Sequence, residues 1–208
     1  MKENKENWNA IYSSIKEKKP VYDLWLDRYK DILDKSKEQP IIDLGCGAGG
    51  SSLYLTERGY KVIACDNSEE AINIVNNFLP QVKTIQMDIS KTLPFEEESI
   101  EVIIAELSLH YFSEETTKNI IKEIKRVLKP GGHLIGRVNS INDMNYGAGS
   151  EEEIEKNFYL TKAGYKRFFG EEDIGYYFRD FIIEVCEEKS IMRYGNEKRA
   201  LEFVVRKL

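Results

Sequence analysis

The sequence predicts an α/β fold, with a mostly parallel sheet of seven strands, helices on both faces and an antiparallel β-hairpin at the C-terminus. Short β-rich stretches alternate with helical patterns from residue 40 to residue 138, which is typical of parallel strands joined by right-handed helical crossovers. A glycine-rich turn follows the first of these strands, and the tail ends in two β-rich runs. Ligands of such sheets bind beyond the carboxyl ends of the strands, so we expect the functional residues there.

The stretch PIIDLGCGAGG contains the first predicted strand and the glycine turn. Two isoleucines after a proline predict a short buried strand, and the glycines predict a turn whose backbone approaches a ligand closely. Gly45, Gly47 and Gly50 fit the G-x-G-x-x-G spacing of dinucleotide sites, whereas Asp43, Gly45, Gly47 and Gly49 fit D-x-G-x-G-x-G. Because Asp43 is poorly placed for a pyrophosphate and suits a cofactor that ends in an ammonium group, the second spacing is favoured.

Two further predicted strands are each followed by an acidic residue. The strand YKVIAC precedes Asp66, and the strand VKTIQM precedes Asp88. Asp66 therefore lies where it can accept hydrogen bonds from the two hydroxyls of a ribose, although both acids could instead be helix caps or loop residues. The helix after Asp66 is predicted to begin at Asn67 or Ser68, with Glu70 completing a capping box from Asn67.

The remaining strands follow the same pattern. The stretches IEVIIA and HLIGRV predict the fourth and fifth strands, separated by a helix that begins at Ser113 and is ended by the sequence PGG. A last helix covers the apolar residues of Ile174–Phe181. The two strands of the terminal hairpin are predicted at Ile182–Cys186 and Ala200–Arg206. Such a hairpin is not expected of dinucleotide-binding dehydrogenases.

Residues 1–36 predict two helices that precede the sheet. Trp8 and Tyr12 lie on the apolar edge of the first helix, which we expect to form a flap over the site. The second helix is predicted over Val21–Leu33.

The chain of 208 residues is expected to form one domain. Residues 139–169 are longer than a compact connection requires and are rich in aromatic residues, so they predict a roof insertion over the active site. Within this roof, Arg167 could bind an acceptor carboxylate or lie on the surface.

Five motifs occur in a fixed order: IIDLGCGAGG, VIACD, IQMD, LPFEEESIEVIIAELSLHYF and RVLKPGG. Over about Ile41–Val138 the chain resembles the class I S-adenosylmethionine-dependent methyltransferases, which implies a Rossmann-like sheet and S-adenosylmethionine as the cofactor. The resemblance implies that Asp43 and the glycine turn face the methionine end, that Asp66 holds the ribose, and that Asp88 with the Ile89 amide contacts the adenine. The candidate cofactor-binding residues are Tyr12, Asp43, Gly45, Cys46, Gly47, Asp66, Asn67, Asp88, Ile89, Glu106 and Leu107.

His110 is the candidate catalytic residue. It lies just past the fourth strand, near the expected position of the methyl group, and could serve as a general base if the acceptor is protonated. The alternative is a structural or capping histidine at the start of the next helix. The other histidine, His133, begins a strand and is expected to be structural.

The favoured function is methyl transfer to a small molecule. The alternatives are a methyltransferase for protein or RNA, a nicotinamide-dependent oxidoreductase, and a non-catalytic cofactor-binding module. The chain lacks the Asn-Pro-Pro-aromatic motif of amino-methylating DNA enzymes, and a formal net charge of −6 argues against a protein that coats nucleic acid. The motifs do not identify the acceptor.

Composition sets the remaining expectations. No apolar run is long enough for a membrane span, and the N-terminus has no apolar core of a signal peptide, so a cytoplasmic protein is expected. Cys46, Cys65 and Cys186 are widely spaced without a C-x-x-C pair, which favours reduced thiols and no metal site. We expect a monomer or homodimer, with no membrane partner and with nucleic acid disfavoured.

Overall fold

The computed structural model describes residues 2–149, 152–161, 164–193 and 195–208. Its strands are β1 (Ile41–Leu44), β2 (Val62–Asp66), β3 (Lys83–Gln86), β4 (Ile100–Glu106), β5 (Leu128–Asn139), β6 (Glu152–Glu155), β7 (Phe158–Thr161), β8 (Gly164–Arg167), β9 (Phe181–Arg193) and β10 (Asn196–Lys207). Its α-helices are α1 (Lys2–Ile15), α2 (Lys30–Leu33), α3 (Gly50–Glu57), α4 (Glu69–Phe78), α5 (Glu114–Val127) and α6 (Glu171–Tyr177). Three 3₁₀ helices cover Trp25–Tyr29, Asp34–Ser36 and Met144–Tyr146.

The main sheet has seven strands in the order β3-β2-β1-β4-β5-β10-β9. Strands β1 to β5 run parallel, and β10 is antiparallel to both β5 and β9. This arrangement confirms the predicted seven-stranded, mostly parallel sheet with a C-terminal antiparallel hairpin. The order reverses between β1 and β4, so a crevice opens at the carboxyl ends of these strands.

The core consists of two layers, one on each face of the sheet. Helices α5 and α6 cover one face, where Ile124 and Ile174 are fully buried against Ile42 and Ile103. On the other face α3, α4 and the 3₁₀ segment 25–29 pack on the alternate strand residues, such as Ile104. Because both faces of the sheet are covered, a central parallel strand is apolar on both sides. This explains the nearly continuous apolar run of IEVIIA.

The terminal hairpin is longer than predicted. Strands β9 and β10 cover 181–193 and 196–207, because the polar residues beyond Cys186 continue the ladder as an exposed edge. Ala200 pairs with Asn139, the last residue of β5, so residues 196–199 extend past the end of β5. The tip of the hairpin therefore projects beyond the edge of the sheet where the crevice lies.

Residues 139–169 contain a second, three-stranded antiparallel sheet, in the order β6-β7-β8. Helix α1 packs against α4 and β8, so it lies between the body and this insertion. The terms flap, for residues 1–36, and roof, for residues 139–169, stay predictions as functional descriptions.

Several predicted elements differ in detail. Ser68 caps α4, because its hydroxyl accepts the Ala71 amide at 3.2 Å, so the predicted capping box from Asn67 is wrong. Strand β5 begins at Leu128, where its pairing with Ile100 starts, and the PGG sequence lies inside β5.

The predicted helix over Val21–Leu33 is also wrong in its first part. Val21 and Leu24 are 83% and 59% exposed, and the helical path begins only at Trp25. The extended chain before it runs close to the start of α3, where a Cβ on Gly50 would lie 2.8 Å from the Val21 carbonyl oxygen.

Candidate active site

The glycine turn connects β1 to α3 at the carboxyl edge of the sheet. Gly45 and Gly47 have φ angles of +78° and +53°, which L side chains rarely adopt. A Cβ on Gly45 would lie 2.3 Å from the Ser108 Cβ, and one on Gly47 would lie 2.6 Å from the Tyr12 Oη. The Gly45 and Cys46 amides both donate to the Cys65 carbonyl, at 2.8 and 2.9 Å, which ties the turn to β2. Only glycine fits these positions, so the backbone is left open to a ligand.

Three acidic side chains converge around this turn. Asp43 is buried and accepts a hydrogen bond from the Ser52 hydroxyl at 2.6 Å. Burial raises the pKa of Asp43 to about 7, and the nearby charges of Glu106 and Asp66 add to this effect. Glu106 accepts the Ser51 hydroxyl at 2.9 Å.

Asp66 is held by two backbone amides. Its Oδ2 accepts the Gly47 amide at 2.9 Å, and its Oδ1 accepts the Ser68 amide at 2.8 Å. Burial raises the pKa of Asp66 despite these bonds. Its carboxylate is thereby fixed between the glycine turn and the start of α4.

This cluster suits a ligand that carries positive charge beside a ribose. Buried carboxylates whose pKa is raised are stabilised in their charged form by a cation. An ammonium and a sulfonium group would supply that charge, and the bare backbone of the glycine turn leaves space for the ligand to approach. The residues present therefore fit S-adenosylmethionine.

The other predicted cofactor residues lie on the same edge with different contacts. Asp88 Oδ1 accepts the Ser90 amide and hydroxyl at 2.9 and 2.7 Å, the local turn that the loop alternative predicted. Ile89 is buried, and the Asn67 carbonyl accepts the Gln86 side-chain amide at 3.3 Å. The Cys46 thiol is buried with a raised pKa. Asp88, Ile89, Asn67 and Cys46 thus lie at the edge of the sheet where the crevice opens. Their roles in binding the cofactor stay predictions.

Helix α1 covers the glycine turn. The ring of Tyr12 stacks on Trp8 at 5.4 Å between centroids, and Trp8 packs edge-on against Tyr111 at 5.8 Å. The Ser68 hydroxyl donates to the Asn9 side-chain oxygen at 2.6 Å. A continuous row of aromatic rings thus leads from the turn to the segment after β4.

That segment begins with a strained residue. Leu107 has a φ angle of +54°, and its amide donates to the Arg137 carbonyl at 2.8 Å. Positive φ in a leucine is rare and is retained where the surrounding structure fixes it, which is common near functional sites. The Ser108 hydroxyl then donates to the Leu44 carbonyl at 2.6 Å and locks the segment against β1.

His110 follows in this segment and is only 2% exposed. Its ring lies 4.3 Å from that of Tyr111, and its Nδ1 has no hydrogen-bond partner among the described residues. Burial lowers the pKa of His110 well below its usual value, and the charges of Lys198 and Lys166 act in the same direction. The imidazole is therefore neutral at physiological pH and its free nitrogen can accept or donate one hydrogen bond.

Sequence reasoning missed the lysines near His110. Lys198 is on the hairpin tip and its Nζ donates to Asp143 Oδ2 at 2.7 Å. Lys166 is on β8, and its Nζ donates to the Tyr146 carbonyl at 3.4 Å. Neither residue belongs to a motif, and only the fold brings these positions together.

Arg167 is buried, which no pattern in the sequence indicates. Its Nε donates to the Phe112 carbonyl at 3.1 Å, its Nη1 to the Lys156 carbonyl at 3.0 Å, and its Nη2 to Glu155. Arg167 is thus a buried residue with structural partners, so the surface alternative is wrong, and a role toward an acceptor stays a prediction.

Three negative findings concern the described part of the chain. It contains no group of histidine, cysteine and acidic residues that could hold a metal ion, and Cys46, Cys65 and Cys186 are free thiols. No helix in it has the length and apolar character needed to cross a membrane.

Comparison with known proteins places these features in a family context. Residues 42–136 match a family model described as a methyltransferase domain. An uncharacterized methyltransferase of Synechocystis sp. is 33% identical over 97 residues, which are 47% of this chain and 45% of the relative. The chain therefore spans less than half the length of that relative. The tRNA N(3)-methylcytidine methyltransferase of Schizosaccharomyces pombe is 29% identical over 191 residues, covering 83% of this chain and 77% of the relative.

A solved structure shows the same fold. It is the 1,6-didemethyltoxoflavin-N1-methyltransferase of Burkholderia thailandensis with bound 1,6-didemethyltoxoflavin and S-adenosylhomocysteine. The TM-score is 0.65 at 18% identity, covering 97% of this chain and 88% of the other. Together the matches confirm a methyltransferase domain over residues 42–136, as the motifs predicted, within a fold that the solved structure shares.

Proposed function

We propose that the chain is a class I S-adenosylmethionine-dependent methyltransferase that transfers a methyl group to a small molecule, and the match of residues 42–136 to a methyltransferase domain supports this. The observation that carries this proposal is the convergence of Asp43, Asp66 and Glu106 on the glycine turn, beneath Tyr12 and next to the segment that holds His110. S-adenosylmethionine, when bound, would supply a methyl group activated by its sulfonium charge. A nucleophile of the acceptor would form a bond to the methyl carbon, and S-adenosylhomocysteine would leave as the neutral thioether.

The residues of the site have separate tasks in this proposal. Asp43 and the bare backbone of the glycine turn hold the amino-acid end of the cofactor, with Glu106 close to its ammonium group. Asp66 accepts hydrogen bonds from the ribose, and Asp88 with the Ile89 amide contacts the adenine. A charge-assisted hydrogen bond of this kind contributes about 1.5–3 kcal/mol.

The segment after β4 orients the acceptor. Its backbone is fixed by the bonds from Leu107 to Arg137 and from Ser108 to Leu44, so His110 has one position relative to the glycine turn. The neutral imidazole can accept a proton from an acceptor hydroxyl, amine or thiol through Nδ1. Alignment of two reactants contributes up to about 7–11 kcal/mol in well-oriented systems.

A small acceptor is supported by how the site is covered. Tyr12 of α1 lies over the glycine turn, α1 packs against β8, and the hairpin tip brings Lys198 and Arg193 to the same edge. A net charge of −6 gives little attraction to a polyanion. These features favour an enclosed site over an open groove.

A second candidate is methyl transfer to tRNA. One observation favours it, namely the similarity to a tRNA methyltransferase over 83% of this chain. A local contact to RNA does not require a basic surface, so the net charge is weaker evidence here than the enclosure of the site.

The test separates cofactor, acceptor class and mechanism. Isothermal titration should give saturable binding of S-adenosylhomocysteine, weakened by Asp66→Ala and unchanged by Asp180→Ala, an exposed control. Tight NADH binding without S-adenosylhomocysteine binding would contradict the proposal. S-adenosylmethionine labelled in its methyl group is then incubated with a cell extract separated into metabolites, RNA and protein. Label in the metabolite fraction supports a small acceptor, label in tRNA supports the second candidate, and no label in any fraction contradicts both.

A further inference from the structure

A second charged cluster lies beyond the acidic one, between the roof and the hairpin tip. Lys166 and Lys198 both face the ring of Tyr146, with Nζ-to-centroid distances of 5.9 and 4.2 Å. Asp143 is the carboxylate bound to Lys198, at 2.7 Å, and it is 1% exposed, while Lys198 is 5% exposed. We call Lys166, Lys198, Asp143 and Tyr146 the lysine cluster.

The charges in the lysine cluster do not balance. Asp143 compensates Lys198, and Arg193 at the hairpin tip is paired with Glu106. Among the described residues no carboxylate lies within ion-pair distance of the Lys166 Nζ, whose hydrogen bond goes to the Tyr146 carbonyl. Burial and the charge of Lys198 both lower the pKa of Lys166, with Asp143 opposing them. Within the described part of the chain, one half-buried cation is therefore left without an anion.

Two buried polar groups beside the lysine cluster also lack partners among the described residues. One is the Nδ1 of His110, and the other is the side-chain amide of Asn139, whose oxygen and nitrogen are both unbonded. Asn139 pairs with Ala200 in the sheet, two residues from Lys198, and is 1% exposed. Buried polar atoms of folded proteins are nearly always hydrogen-bonded, so two such groups beside an uncompensated lysine indicate a ligand site.

The backbone connects this place to the segment that faces the glycine turn. The Arg167 amide donates to the His110 carbonyl at 2.7 Å, which sets β8 and its Lys166 alongside His110. The His110 ring contacts Tyr111, which leads through Trp8 to Tyr12 over Gly47. A molecule with one end in the lysine cluster would thus have its other end toward the glycine turn.

We propose that the lysine cluster binds an anionic group of the methyl acceptor, a carboxylate or a phosphate monoester, with Lys166 as its main cation and Asn139 as a neutral partner. This inference rests on the proposed function, and it narrows the acceptor to a small molecule with at least one such oxyanion. Lys198 holds the site open through its bond to Asp143, and the Tyr146 ring forms one wall.

The experiment uses the full chain with labelled S-adenosylmethionine. A metabolite extract free of macromolecules is separated by ion exchange into anionic, neutral and cationic fractions, and each fraction is assayed for labelled product. A phosphatase-treated portion of the anionic fraction distinguishes a phosphate monoester from a carboxylate. We expect label in the anionic fraction alone.

The variants identify the cation. Lys166→Gln should lower kcat/KM for the anionic fraction by about tenfold or more, while Lys166→Arg should restore much of it, because a charge-assisted bond is lost and then replaced. Lys122→Gln, an exposed control on α5, should have no effect. S-adenosylhomocysteine affinity should stay unchanged in Lys166→Gln, since this residue is outside the acidic cluster. Thermal melting should not fall, because the variant removes a half-buried charge. Asn139→Ala should give a smaller loss than Lys166→Gln.

The outcomes separate the two proposals. Label confined to the neutral or cationic fraction, or an unchanged rate in folded Lys166→Gln, would overturn this inference while methyl transfer to a small molecule stands. No label in any fraction, with S-adenosylhomocysteine bound, would overturn the small-molecule function and this inference with it.

Discussion

Replacing Asp43 with asparagine should stabilise the protein without ligand and weaken the binding of the cofactor. Asp43 is fully buried, and its pKa rises from 3.8 to about 7 because burial disfavours the carboxylate. One pKa unit corresponds to about 1.4 kcal/mol. The shift from 3.8 to about 7 therefore means that ionised Asp43 lowers the free energy of unfolding by at most about 4 kcal/mol. Asparagine is similar in shape, carries no charge, and its oxygen can still accept the Ser52 hydroxyl.

The pH dependence gives this prediction a definite sign. Because the folded-state pKa of Asp43 is raised, its contribution to stability is complete below the unfolded pKa near 4 and is lost as the pH rises toward 7. Wild-type stability should therefore fall across this window, and part of the fall should disappear in Asp43→Asn. The pKa of Asp66 is also raised, so Asp66 should still contribute to the fall in stability with pH in the variant.

Two measurements are needed. Urea unfolding at about pH 5 and about pH 8 should show Asp43→Asn to be the more stable protein at the higher pH, with Asp180→Asn as an exposed control. Titration with S-adenosylhomocysteine at the higher pH should show affinity about 10- to 100-fold lower in Asp43→Asn, because a charge-assisted bond to the ammonium group is lost. A variant that is less stable than wild type at about pH 8, or that binds equally well, would refute the reasoning.

Three further changes test other parts of the structure. Gly47→Ala should reduce S-adenosylhomocysteine affinity at least about tenfold, because the new Cβ would lie 2.6 Å from the Tyr12 Oη. The control is Gly131→Ala. Gly131 has a positive φ but no neighbour within 4 Å, so this change should cost only about 1–2 kcal/mol of stability. Asp66→Ala should weaken cofactor binding by about 1–3 kcal/mol by titration, and unchanged affinity would remove this residue from the site. Arg167→Met should destabilise by about 1–3 kcal/mol in urea unfolding, since two carbonyls and the partly exposed Glu155 lose their donor, and an unchanged stability would contradict its structural role.

The fold and the acidic half of the site could be predicted from the sequence because both depend on local order along the chain. In a parallel sheet each strand ends at the same edge, so Asp43 and Asp66 come together wherever two such strands are neighbours. The glycine spacing has the same local origin, since positive φ at Gly45 and Gly47 leaves few alternatives to glycine. The ligand roles assigned to these residues stay predictions.

The lysine cluster could not be predicted because its members are distant in sequence and lie outside the regular strand-and-helix repeat. Lys166 and Lys198 meet only because β8 folds back onto His110 and the hairpin extends past Asn139. The burial of Arg167 was not predicted for a related reason, since it depends on the Phe112 and Lys156 carbonyls, which no side-chain pattern reveals. The cap of α4 is Ser68, one of the two residues that the sequence allowed, and the sequence did not decide between it and Asn67.

The segregation of charge leads to a last prediction, which rests on both proposals. Acidic residues surround the place proposed for the cofactor, and uncompensated Lys166 marks the place proposed for the acceptor anion. An anionic acceptor should then be attracted by the sulfonium charge as well as by Lys166, so the two ligands should bind with positive coupling. The measurement compares a cofactor analogue with an ammonium in place of the sulfonium against uncharged S-adenosylhomocysteine, each with an anionic acceptor fraction. We expect the acceptor to bind severalfold tighter beside the charged analogue, with the difference retained in about 0.3 M salt because the groups are buried. Equal binding beside both would show that the cation does not face the anion, and the acceptor would have to be oriented with its charge away from the reacting sulfur.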